Sequence, residues 1–144
     1  MRTVIKTSVF PASRDIVFEK LQQIQTLQYI AAPYASFEPV SPDNLMVWKV
    51  GASSSYRFKL WGFIPFGVHM INIERFDIDM IQSREGNNFV PVWNHKICLK
   101  DVNGNTEYTD EVDIDAGWKT LFVWLWAKSF YSHRQRKWLK LLKL

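Results

Sequence analysis

No proline or glycine interrupts Trp118 to Leu144, and that stretch does most to limit what the chain can become. At about 1.5 Å per residue, a helix over it reaches roughly 40 Å. Apolar side chains surround its first half. A stripe is still traceable through Leu121, Trp124, Ala127, Tyr131, Trp138 and Leu142, with Arg134 inside it. The chain before it, from Tyr34 to Ile114, has the other periodicity. Tyr56, Phe58 and Leu60 alternate with Arg57, Lys59 and Trp61. Trp93, His95, Ile97 and Leu99 alternate with Asn94, Lys96, Cys98 and Lys100. Tyr108, Asp110, Val112 and Ile114 share a face opposite Glu111 and Asp113. A period of two is that of strands buried on one side. A free antiparallel sheet cannot leave its apolar face in water, and the long helix is the only element able to cover it. The expected fold is therefore α+β, with a curved antiparallel sheet of about seven strands wrapped around a long C-terminal helix.

The remaining elements follow from local signals. Thr3 to Phe10 reads as a first strand ended by Pro11. Ser13 is placed to cap a short helix carrying Val17 and Leu21 on one side. A second short helix follows through Leu27 to Ala31 and is closed by Pro33. Met46 to Val50 is short and apolar. Gly51 to Ser54 reads as a turn, Gly62 to Gly67 as a break, and Glu85-Gly86-Asn87-Asn88 as a turn between a strand at Ile78 to Ser83 and one at Phe89 to Leu99. Asn103-Gly104 is the strongest hairpin signal in the chain.

Composition places limits on function. With 47% apolar and 15% aromatic residues among 144, the chain is too hydrophobic for disorder and long enough for one domain, expected over residues 1–144. Seven Trp, ten Phe and five Tyr either fill a core or line a cavity. The net charge of +4 is unevenly placed. Lys128 to Leu144 holds six bases and no acid, which leaves twelve bases against fourteen acids elsewhere. That basic end suits an ordinary solvated helix face, a transient contact with an anionic membrane surface, or nucleic acid. The chain lacks a recognisable nucleic-acid module, so no nucleic-acid partner is expected. Met1 is followed by charged residues and no 18-residue apolar run occurs. With a single cysteine, Cys98, a cytoplasmic location is the default expectation.

Few motifs carry chemistry. There is no phosphate-cradling loop, and Cys98 lies on the face opposite His95. No two of His69, His95 and His133 are spaced for a helical metal site. A metal site of His69, His95 and Asp110 can be drawn on neighbouring strands, but a hydrogen-bonded core histidine fits the pattern better. No metal, cofactor or catalytic residue is expected. The richest polar cluster is His95, Tyr108, Asp110 and Arg134. A carboxylate among inward-facing apolar neighbours must be paired or neutral, so Asp110 and Arg134 are expected to meet. Such a pair either clamps helix to sheet, orients a ligand head group, or supports acid–base chemistry at His95.

The order strand, two short helices, run of strands, long helix resembles the START-like helix-grip superfamily, also called SRPBCC or Bet v 1-like. Locally, Trp93-Asn94-His95-Lys96, Thr109-Asp110-Glu111-Val112-Asp113 and Phe130-Tyr131-Ser132-His133-Arg134-Gln135 are similar to segments of its bacterial stand-alone members. Gly86-Asn87-Asn88-Phe89 stands where a Gly-Pro-Phe turn is common. The resemblance implies a cavity between sheet and long helix that binds a small hydrophobic or amphipathic ligand, lipid-like or polyketide-like. The residues expected to line it are Trp93, His95, Ile97, Tyr108, Asp110, Val112, Trp124, Tyr131, Arg134 and Trp138. A cyclase or hydratase using the same cavity, and a structural protein with a filled core, are the alternatives. Trp61, Phe63, Phe66 and Trp126 exceed what the core needs, which leaves a dimer contact or a membrane-facing lip. A monomer and a homodimer are both compatible with the sequence.

Overall fold

The computed structural model describes residues 1–40, 50–61 and 64–143. Most of the Met46 to Val50 stretch, and the rings of Phe63 and Phe66, lie outside the described part. The elements are β1 (Arg2–Phe10), α1 (Arg14–Leu21), α2 (Ile24–Ala31), β2 (Ala35–Pro39), β3 (Ser53–Leu60), β4 (Ile64–Phe76), β5 (Met80–Gly86), β6 (Val92–Val102), β7 (Asn105–Asp115) and α3 (Thr120–Leu142). The seven strands form one antiparallel sheet in the order β1-β7-β6-β5-β4-β3-β2. The expected α+β helix-grip architecture is what the chain adopts.

Local chemistry explains the element ends. Ser13 Oγ accepts from the Ile16 backbone N–H and caps α1. Asn103 and Gly104 both take positive φ, 54° and 85°, as a two-residue hairpin turn requires, and Val102 then pairs with Asn105. The expected break at Gly62 to Gly67 is shorter than read. β4 already pairs with β3 at Ile64 and Leu60. β5 starts later than expected, because Asp77 Oδ1 accepts from the N–H groups of Asp79 and Met80 and holds a turn there. It also runs further, through Glu85 and Gly86, residues whose types suggest a turn.

Register shifts at Arg57/Lys59 and at Ile73/Arg75 bend β3 and β4. Bulges of this kind curl a sheet. The curl closes over α3, which is turned slightly from the expected stripe. Ala127, Phe130, Tyr131, Gln135 and Trp138 are buried, whereas Leu121 is exposed and Trp124 only half-buried. The two ends of the grip differ. Towards the C-terminal end of α3, Trp138, Phe10 and Tyr108 are fully buried and in ring contact, with centroids 4.7–5.7 Å apart. That end is solid. The other end is hollow.

Candidate functional site

The hollow end is a cavity of about 300 Å³. Its walls are apolar: Phe37, Phe58 and Ile71 come from the sheet, and Val123, Trp126 and Phe130 from α3. Its polar groups gather on β4, β5, β6 and the middle of α3.

Those groups form a chain of hydrogen bonds joined at one link by a longer ionic contact. Asn87 accepts from the N–H groups of Phe89 and Val90 through Oδ1, at 2.8 Å each, so its Nδ2 is the donor to His69 Nδ1 at 3.1 Å. That leaves the proton of the His69 ring on Nε2, which donates to Glu85 Oε1 at 2.8 Å. Glu85 Oε2 accepts from Ser83 Oγ and lies 3.7 Å from His95 Nδ1. His95 Nε2 is 2.7 Å from Asp110 Oδ1, and Asp110 Oδ2 accepts from Gln135 Nε2 at 3.1 Å. Gln135 also donates to the Lys6 carbonyl and accepts from Ser8 Oγ. One polar line thus runs from the Asn87 turn through β4, β5, β6 and β7 to α3 and β1.

Gly86 allows the Asn87 turn to sit beside this line. A Cβ at Gly86 would lie 2.5 Å from the Pro91 carbonyl oxygen, so no side chain fits between β5 and the start of β6.

Electrostatics follow from this geometry. Burial works against a charge on His95, but the hydrogen bond with Asp110 and the nearby Glu85 carboxylate outweigh it, so its pKa is raised from 6.5. Burial likewise opposes charge on Glu85, yet His69 and His95 overcome it and hold the carboxyl well below its usual range. The sign for stability differs between the two. The His95 contribution is full below the unfolded value near 6.5 and is lost as pH rises through the raised folded value. The Glu85 contribution is full above about 4.5 and is lost as pH falls. We expect a stability plateau between about pH 4.5 and 6.5. His95→Gln should flatten the alkaline limb of a Tm-against-pH curve. An alkaline limb identical in that variant would show that His95 does not carry the linkage.

Arg134 lies inside the cavity wall with its guanidinium carbon 5.2 Å from the Tyr131 ring centre and 5.7 Å from that of Phe130. Its buried Nε has no hydrogen-bond partner among the described residues. Burial disfavours its charge, but the carboxylates of Asp110 and Glu85 restore it. Tyr131 hydroxyl accepts from Trp93 Nε1 at 3.0 Å.

Of the residues expected to line the cavity, Trp93, His95, Ile97, Tyr131 and Arg134 do so. Asp110 stands behind His95, and its expected ion pair with Arg134 does not form, because His95 and Gln135 take both carboxylate oxygens. Tyr108 and Trp138 belong to the solid end, and Val112 to the core under Tyr131. Trp124 faces away from the cavity: its Nε1 donates to the Thr3 carbonyl, with Arg2 and Lys128 over its ring. The metal triad drawn from His69, His95 and Asp110 is divided by Glu85, whose two oxygens stand between the imidazoles.

Sequence reading missed Glu85, Ser83, Asn87 and Gln135. Ile81, Ser83 and Glu85 continue a period of two, and Ser83 pairs with His95. Glu85 was therefore detectable from alternation, though its neighbours are turn formers. Gln135 follows Tyr131 by one helical turn and precedes Trp138 by another.

A seven-stranded sheet gripping one long helix over an apolar cavity defines the helix-grip fold. Solved structures carry the same arrangement. A Mycobacterium smegmatis protein superposes with a TM-score of 0.76 at 16% identity, covering 97% of this chain and 90% of its own. A Chromobacterium violaceum protein reaches 0.79 at 10% identity, covering 99% and 97%. A further M. smegmatis protein, described as a START superfamily protein, reaches 0.72 at 12% identity, covering 98% and 97%. No family model and no curated protein matches the chain. At these identities the likeness is one of fold.

Proposed function

We propose that the chain binds a small, largely apolar molecule between its sheet and α3. The observation that carries this reading is the cavity: about 300 Å³, at the lower end of the range for small-molecule sites, apolar on its walls and polar at one end. A structural protein would fill this space, since interiors are normally close-packed. Both nitrogens of His95 face carboxylates, which favours binding over acid–base chemistry there. Native mass spectrometry of the protein purified from its own host should show a non-covalent adduct that organic extraction releases. Protein carrying only its own mass, and taking up none of a panel of apolar probes, would rule the reading out.

One observation supports entry from a membrane surface. Trp118, Phe122 and Leu125 are 84%, 66% and 51% exposed on and just before the first turns of α3, and Phe122 also lines the cavity. Lys119 and Lys128 flank them. The basic end of α3, for which a solvated face and a membrane contact are both open from sequence, packs its apolar side inward: Trp138 is buried, and Leu139, Leu141 and Leu142 pack on the solid cluster. Amphipathic surfaces bearing cations favour anionic bilayers. Cosedimentation with phosphatidylserine-containing vesicles should fall several-fold in Phe122→Ser/Leu125→Ser and change little in Lys140→Ser/Lys143→Ser. If the first pair of substitutions instead dissolves a dimer in sedimentation velocity and leaves vesicle binding intact, the lip is a self-contact.

A further inference from the structure

The polar end of the cavity is unequal in donors and acceptors. Glu85 accepts from His69 through Oε1 and from Ser83 through Oε2. Asp110 accepts at Oδ1 in its contact with His95 and from Gln135 at Oδ2. The Gln135 and Asn87 amides are engaged through both their oxygen and their nitrogen. The carboxylates and amides of this network are thus already in use. The donors are not. The Arg134 guanidinium, with five N–H groups, makes no hydrogen bond or ion pair with any described residue, and its Nε is buried. The Tyr131 hydroxyl accepts from Trp93 but gives its own proton to no described residue, and Tyr131 is 1% exposed. Both side chains line the cavity.

Charge narrows the partner further. His95 has a carboxylate oxygen facing each ring nitrogen, an arrangement that calls for a proton on both. Glu85 and Asp110 are then balanced by His95 and Arg134. A ligand carboxylate would add a third anion to a buried group already neutral in sum, which is costly. A neutral acceptor adds none. Resting on the cavity reading above, we infer that the site selects an apolar molecule carrying one neutral hydrogen-bond acceptor, a carbonyl oxygen, held by the Arg134 guanidinium and the Tyr131 hydroxyl. The cavity sets the scale of that molecule. At about 30 Å³ for each water-sized group, it takes on the order of ten non-hydrogen atoms.

Three probes of nearly equal shape test this: 2-acetylnaphthalene, 2-ethylnaphthalene and 2-naphthoate, titrated calorimetrically against the protein after organic extraction. The ketone should bind at least about tenfold tighter than the hydrocarbon, the gain expected of one charge-assisted hydrogen bond. The carboxylate should bind no tighter than the ketone. Arg134→Met should shrink the ratio of ketone to hydrocarbon affinity several-fold, with the Tyr131 hydroxyl holding the remainder. In the unmodified protein, the infrared carbonyl stretch of the bound ketone should move to lower frequency, a readout that needs no variant to fold. Equal binding of ketone and hydrocarbon, tightest binding by the carboxylate, or an unshifted stretch overturns the inference while leaving the cavity reading standing. Failure of all three probes to bind overturns both.

Discussion

Asp110→Asn should lower the unfolding free energy by about 3–5 kcal/mol, the cost of leaving one member of a buried pair alone. Asp110 is 0% exposed and offers two acceptors, one in contact with His95 and one taken by Gln135. Asparagine supplies one acceptor and one donor. Whichever way it turns, either the His95 ring or the Gln135 amide meets N–H against N–H. The imidazolium also loses its nearest counter-charge. Denaturant titrations of Asp110→Asn, His95→Gln and the double variant should give a coupling of about 1–3 kcal/mol. The cycle with Arg134→Met should be smaller, because Arg134 and Asp110 interact only at a distance, with no hydrogen bond or ion pair between them. Larger coupling to Arg134 than to His95 would mean that the ion pair expected from sequence forms after all.

Trp138→Ala should cost a similar amount, about 3–5 kcal/mol, for a different reason. Trp138 is fully buried between Phe10 and Tyr108, with ring centroids at 5.5 and 5.7 Å. Its removal leaves a void at the end of the grip that is otherwise solid. Because Trp138 does not line the cavity, uptake of an apolar probe well below the melting temperature should remain within about twofold of the parent. Loss of uptake in a folded variant would mean that the two ends of the grip are not independent.

The fold was legible because two periodicities meet in this chain without ambiguity. The His95 and Asp110 faces alternate over entire strands, and α3 has no internal breaker. The site was only partly legible. Strand phase turned Trp93, His95 and Ile97 inward correctly, and Asp110 with them. It could not show that Asp110 lies one layer behind the cavity, since that depends on which side chain of β6 stands in front. Helical spacing put Arg134 and Gln135 within 100° of each other, so a small rotation of α3 decides which reaches Asp110. Gln135 does, and Arg134 is left facing the cavity. Glu85 was hidden by its neighbours: Gly86, Asn87 and Asn88 are turn formers, but the turn begins only after the carboxylate has been placed.

The pairing of β1 with β7 sets an order of events during synthesis. Val4 finds Val112 across the sheet, and the carbonyls of Thr3 and Lys6 receive Trp124 and Gln135 from α3. Every partner of β1 in these contacts is made about a hundred residues later. At roughly 5–20 residues per second, β1 waits about 5–20 s on the ribosome with its apolar face uncovered. Meanwhile β5, β6 and β7 can close as successive hairpins, the Asn103-Gly104 turn among them, from contacts near in sequence. Nascent chains stalled before β7 has emerged should therefore protect the β5–β6 amides from exchange while leaving those of β1 open, so the strand made earliest is among the last to be secured.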